Sequence, residues 1–177
     1  ASHLHQTPVL SSRSLNQLAN AELHFKCGNF QRSGSFKFRG VTNTLLQLSK
    51  AELARGLATT SSGNHGAALT LAASLQNAKV KVVMPHNTPK VKVENVRRYG
   101  GEIIFCEPSH ESREGTLTQL VERTESTVVH PYNDERIIAG QGTVAWELLT
   151  EQPDLDAVVS PVSGGGLLSA VSYTHLR

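Results

Sequence analysis

The sequence is poor in cysteine: it has two, Cys27 and Cys106, far apart and without CxxC spacing or a partnering histidine pair. That disfavours a disulfide framework and a zinc site, so no metal ligands are assigned and a reducing compartment fits. Charge of one sign is equally scarce. Seventeen Lys and Arg against fifteen Asp and Glu leave a formal net charge of +2, too little to argue for nucleic acid or an acidic membrane surface. The densest basic run, KVKVENVRR at 90–98, interleaves apolar residues and reads as the solvated face of a helix. No apolar run approaches bilayer-crossing length, and no charged-then-apolar signal segment opens the chain, so a cytoplasmic protein is expected. Internal repeats, low-complexity linkers and the lysine-bearing Walker pattern are also absent, and a nucleoside triphosphate held in the Walker manner is not indicated.

What is present is a regular alternation. ELHFKC (22–27) alternates at period two, and GLATTSS (56–62), VKVVMP (80–85), EIIFCE (102–107), STVVH (126–130) and DAVVSPV (156–162) have the short, β-branched character of strands. Helical spacing fills the gaps at roughly 41–48, 65–76, 89–99, 111–124 and 141–150. Such β-α-β order predicts an α/β protein with open, mostly parallel, twisted sheets and helices on both faces. Ligands then gather at the carboxyl ends of the strands.

Several polar segments fall where that rule places a site. TTSSGNHG (59–66) follows a strand and opens a helix, so its N–H groups suit an anion, and Ser61, Ser62, Asn64 and His65 exceed what a plain helix cap needs. PVSGGGLLSA (161–170) sets three consecutive glycines after a strand, a pattern suited to close approach by a phosphate. GQGTVA (140–145) satisfies G-x-G-x-x-A but lacks the acidic ribose partner, and reads as a tight turn into a helix. In RSGSFKFRG (32–40), Lys37 follows a turn between Phe36 and Phe38. It is either an exposed cation at a helix start or an amine whose pKa falls in an apolar setting.

In this order and spacing, SGSFKFRG, SSGNHG, HPYNDERIIAGQGT and PVSGGGLLS resemble the serine racemase and serine/threonine dehydratase group of fold-type II pyridoxal-phosphate enzymes, from about Thr7 to about Ala170. The resemblance implies that Lys37 carries the cofactor aldehyde, that Phe36 packs near the pyridine ring and that Asn64 bonds its phenolic oxygen. It implies that Ser163, Gly164, Gly165, Gly166 and Leu167 offer N–H groups to the phosphate. Ser61, Ser62, Asn64 and His65 would surround the substrate carboxylate, with Arg113 of ESREG orienting the substrate. Lys37 and Ser62 would be the two proton-transfer groups of serine racemisation, and elimination of the β-hydroxyl from L-serine or L-threonine would use Lys37. Ser163 departs from the family, where many relatives carry a further glycine.

The resemblance also implies a larger domain in two pieces, 1–55 and 134–171, with a small α/β domain at 56–133 inserted between them. The C-terminal half of such an enzyme is missing, and 172–177, within VSYTHLR, reads as a foreign tail that does not continue the preceding helix. A full-length parent would be a homodimer, with Mg or Ca and ATP as effectors, although no divalent-cation ligand is found here. Two alternatives stand beside the racemase: a dedicated threonine dehydratase, and a catalytically inactive truncated or regulatory protein. A nucleotide-binding module using GGG and GQG is a third.

Overall fold

The computed structural model describes residues 3–175, with side chains described as far as Tyr173. Two short strands, β1 (Val9–Leu10) and β2 (Phe25–Lys26), pair antiparallel around helix α1 (Arg13–Ala19). Helix α2 (Lys37–Gln47) and α3 (Lys50–Arg55) lead to β3 (Leu57–Thr60) and α4 (Asn64–Ser74). Next come β4 (Val80–Pro85), α5 (Lys90–Arg98), β5 (Glu102–Cys106), α6 (His110–Thr124) and β6 (Thr127–Val128). Helices α7 (Glu135–Glu151) and α8 (Gly166–His175) complete the described chain.

The four later strands form one all-parallel sheet in the order β5-β4-β3-β6, with Leu57 opposite both Val80 and Thr127. Side chains of a strand alternate between faces, and β4 uses both. Val80, Val82 and Met84 join a core with Phe38, Val41 and Leu45 of α2, Leu69 and Ala72 of α4, and Val93 and Val96 of α5. Val83, with Ala58, instead meets Cys106, Leu117 and Leu120 on the α6 side. Helices therefore cover both faces, as the alternation of apolar runs predicts. Among the described residues, no helix is long and apolar enough to cross a membrane.

The expected boundaries are corrected in four places. Only Phe25–Lys26 of ELHFKC is strand. DAVVSPV forms no strand: residues 157–162 are irregular and Val159 is 94 % exposed, because a strand exists only against a partner ladder and none lies beside it among the described residues. VSYTHLR does continue the helix, since α8 runs to His175, while Leu176 and Arg177 lie outside the described residues. GQGTVA is the interior of α7 and not a turn.

That last difference has a packing cause. A Cβ on Gly140 would sit 2.6 Å from Gly40 Cα and 2.8 Å from Arg39 O, so the missing side chain lets α7 cross α2 nearly backbone to backbone. Gln141 beside it is buried, and its Oε1 accepts the Gly40 N–H at 3.1 Å, close to the amino end of α2. Gly140→Ala is therefore expected to lower stability by about 1–3 kcal/mol through overpacking, although alanine is the better helix former. Gly115→Ala on α6, where a Cβ meets nothing within 4 Å, should leave stability unchanged or raise it by up to about 1 kcal/mol. Urea midpoints of the two variants test the contrast, and an undiminished midpoint for Gly140→Ala would refute the close crossing.

Candidate active site

The turn before α2 sets the position of Lys37. Ser33 and Gly34 both adopt left-handed backbone, at φ 60° and 73°, and Ser35 is extended, which reverses the chain and makes Lys37 the first residue of the helix. Its ammonium lies 5.3 Å from the Phe36 ring centroid, and Nζ donates to Pro131 O at 2.6 Å. Burial holds its pKa below the ordinary 10.5, because desolvation penalises the charged form. Phe38 is fully buried in the core behind it.

Lys37 opens onto a cleft of about 480 Å³ at the carboxyl end of the parallel sheet. One wall is the β3–α4 loop. Ser61 acts there as the helix cap: its Oγ accepts from Gly66 N at 2.9 Å and Gly63 N at 3.2 Å. Ser62 and Asn64 are exposed on the cleft, and Asn64 Oδ1 accepts from Lys92 Nζ at 3.0 Å. His65 is 3 % exposed. Its Nε2–H donates to Val129 O at 3.1 Å, since a carbonyl only accepts, and burial pushes its pKa down to about 3. Nδ1 is left as a buried acceptor without a partner. Its ring is thus a neutral, anchored wall of the cleft.

The opposite boundary is the segment before α8. Ser163, Gly164, Gly165, Gly166 and Leu167 all line the cleft. The first N–H groups of a helix have no partner within it, and α8 begins at Gly166. Gly165 has φ +83° and nothing within 4 Å of a Cβ position, so the loop presents open space there. A Cβ on Gly164 would lie 2.4 Å from the Tyr132 ring, and one on Gly166 would lie 2.6 Å from Tyr132 O. Two of the three glycines therefore make room for Tyr132, a use the sequence does not advertise. On the α6 side, His110, Arg113 and Glu114 reach the cleft, and the Arg113 Nε is buried without a hydrogen-bond partner.

The residues 129–132 are the piece that sequence reasoning missed. Val129 O receives both His65 Nε2 and Thr59 Oγ1, the latter at 2.7 Å, and Pro131 O receives Lys37. His130 Nδ1 accepts the N–H groups of Tyr132 and Asn133 at 3.2 and 2.8 Å, and its ring meets Tyr132 edge-on at 4.6 Å. The sequence signal is weak because two of these residues act through main-chain oxygens.

The cleft thus brings together every sequence-predicted site residue, although Ser61 and His65 are occupied with holding the loop. It combines a desolvated amine, hydroxyl and amide donors, an unpartnered guanidinium nitrogen and an open glycine-rich helix start.

Comparison with known proteins agrees with this arrangement. The family described as "Pyridoxal-phosphate dependent enzyme" matches residues 1–174. A serine racemase of Arabidopsis thaliana is 49 % identical over 170 residues, covering 96 % of this chain and 51 % of the relative. A beta-hydroxyaspartate dehydratase of Paracoccus denitrificans is 50 % identical over 172 residues, covering 97 % and 55 %. The solved maize serine racemase superposes with a TM-score of 0.93 at 45 % identity, covering 96 % of this chain and 51 % of that one. The chain spans about half the length of the curated relatives it matches. With the lysine, the Ser/Asn loop and the glycine-rich helix start in one cleft, and a family match that runs almost end to end, this chain belongs to the pyridoxal-phosphate-dependent enzyme family.

Proposed function

We propose that this segment forms the cofactor half of a serine racemase that also dehydrates L-serine and L-threonine, working in a chain of the relatives' length. The observation that carries the reading is Lys37: a half-buried amine with lowered pKa shares one cleft with Ser62, Asn64 and the glycine loop. The residues present fit pyridoxal phosphate. The N–H groups of Ser163, Gly164, Gly165, Gly166 and Leu167 would hold its phosphate at the open helix start. Asn64 would donate to its phenolic oxygen, Phe36 would flank its ring and Lys37 would hold its aldehyde. When bound, the cofactor supplies a sink for the electron pair left at the substrate Cα.

The chain's own residues then divide the proton work. Lys37, easily neutral because it is desolvated, takes the Cα proton on its side. Ser62, from a different element of the same cleft, returns a proton on the other side to give the enantiomer. Loss of the β-hydroxyl as water instead leaves 2-aminoacrylate, whose imine tautomer takes up one water to give pyruvate and ammonia from L-serine. Ser61 keeps the loop in shape, and Arg113 aligns the substrate carboxylate.

Ser62→Ala is accordingly expected to reduce serine racemisation by at least about 10²-fold while leaving part of the pyruvate formation. Chiral analysis of serine alongside a pyruvate assay on the full-length protein tests both. Equal losses would reduce Ser62 to a substrate-positioning role, and absence of both reactions in the unmodified protein would overturn the reading.

One observation favours a second reading, a dehydratase of a β-hydroxylated dicarboxylic amino acid. The Arg113 Nε is unpartnered and buried, and His110 and His130 stand in the same cleft, with Glu114 as the nearby acid. A second substrate carboxylate would satisfy that guanidinium. Turnover of β-hydroxyaspartate well above L-serine would select it.

We further propose that 56–133 is a small domain inserted between the pieces 1–55 and 134–171, a division supported by the parallel sheet's lying wholly within Leu57–Val128. A homodimer is supported by the exposed Leu46, Trp146 and Tyr173 near α7. A cytoplasmic setting fits two free cysteines. The implied ATP and divalent-cation roles have no residues assigned to them here. Among the described residues, no group of three or more His, Cys, Asp and Glu could hold a metal ion.

A further inference from the structure

We infer that Lys92 is a positioning residue that fixes which end of the Asn64 amide faces the cofactor pocket. An amide side chain can present either its oxygen or its NH₂ group, and the two ends are told apart by their partners. Here the partner decides, because an ammonium has three donors and no acceptor. Lys92 Nζ lies 3.0 Å from Asn64 Oδ1, so the oxygen is committed to Lys92 and the two Nδ2–H groups are left for an acceptor.

Both side chains are available for this task. Asn64 is the first residue of α4, one position past the cap residue Gly63, and Ser61 Oγ already accepts the Gly63 and Gly66 N–H groups. Asn64 is thereby released to the cleft it lines. Lys92 rides on α5, which is seated in the core by Val93 and Val96, at 8 % and 0 % exposure. No carboxylate pairs with Lys92 in any salt bridge among the described residues. Its ammonium also polarises the amide, which strengthens Nδ2–H as a donor toward an oxygen bearing negative charge. Lys92 thus acts on the pocket from behind, through Asn64.

The inference rests on the reading of Asn64 as the donor to the phenolic oxygen of pyridoxal phosphate, and its test separates the two. The dissociation constant of pyridoxal phosphate is measured by equilibrium dialysis on the full-length protein, with melting curves as a folding control. The set comprises Lys92→Met, Lys92→Arg, Asn64→Ala and the Lys92→Met/Asn64→Ala double variant. Lys92→Met should weaken cofactor binding by about tenfold, and Lys92→Arg, which keeps a donor-only cation, should recover most of that loss. The double variant should bind no more weakly than Asn64→Ala alone, the non-additivity of two groups acting in series. If Asn64→Ala weakens binding and Lys92→Met does not, or if the two losses add, Lys92 does not act through Asn64 and the inference fails. If Asn64→Ala leaves binding unchanged, the reading of Asn64 itself falls and takes the inference with it.

Discussion

Replacing Lys37 by alanine in the full-length protein is expected to abolish the visible absorption of lysine-bound pyridoxal phosphate and to reduce turnover by at least about 10³-fold. The fold should survive, because the Lys37 side chain contributes one hydrogen bond, to Pro131 O, and stays outside the apolar clusters. Loss of activity should therefore come without loss of melting temperature. The same geometry gives a pH dependence. An amine held below the ordinary 10.5 by burial becomes a neutral base at lower pH than a solvated lysine, so the rising limb of activity should lie below that value. Borohydride reduction followed by peptide mapping identifies the attachment point directly. A cofactor adduct retained in Lys37→Ala would show that another lysine carries it.

The second large effect is on stability and lies away from the cleft. Arg39, 1 % exposed, is fixed between α2 and α7 by Glu147, whose two oxygens accept from Nη1 at 2.5 Å and Nη2 at 2.7 Å, with the Thr143 and Thr7 hydroxyls completing its partners. Glu147 also receives Lys26 at 3.1 Å, while Lys26 keeps a second carboxylate, Glu151, at 2.9 Å. Glu147→Ala therefore spares Lys26 a partner but leaves the Arg39 guanidinium buried with two neutral hydroxyls. Such an uncompensated charge costs about 3–5 kcal/mol, which should lower the melting temperature on the order of 10 °C. The double variant Glu147→Leu/Arg39→Met should be more stable than Glu147→Ala, because it removes the orphan as well as the pair.

Acid should erase the difference. Burial pushes the Glu147 carboxyl up, but the hydrogen bonds and charges of Arg39 and Lys26 outweigh it and hold the pKa below the ordinary 4.5. A folded-state value depressed in this way gives stability that is complete above the ordinary range and drains as pH falls through the folded value. The gap in melting temperature between the unmodified protein and Glu147→Ala should accordingly narrow below about pH 4.5. A gap that stays constant from pH 7 to pH 3 would remove Glu147 from the account of stability.

The parts of this molecule that could be read from sequence are those whose signal is carried by side chains in a repeating pattern. Strand β4 falls where VKVVMP places it, because a short β-branched run buried on both faces has little alternative. DAVVSPV is as rich in valine in absolute number, with three, and is not a strand, since pairing is a property of neighbours and composition alone cannot supply them. GQG reads as a turn because glycine punctuates loops far more often than it marks a helix crossing, and the Gly40–Gly140 contact is what distinguishes the cases. In the cleft, Lys37, Ser62 and Asn64 announce themselves by residue type. His65 does so as well, but nothing in SSGNHG reveals that Val129 O will hold its ring. Pro131 is silent for the complementary reason: a carbonyl oxygen is common to every residue.

The segment 129–132 has a dynamic consequence. It follows β6, a strand of two residues at one edge of the sheet that pairs with β3 alone. Anchors for the His65 ring, the Thr59 hydroxyl and the Lys37 amine, together with the Tyr132 ring under the glycine loop, all lie within these four residues. When that edge frays, the histidine wall, the amine and the glycine loop lose their supports in one event. The cleft should consequently melt as a single cooperative unit below the temperature of the core, with the amide protons of Thr127 and Val129 and those of the glycine loop exchanging at a common rate.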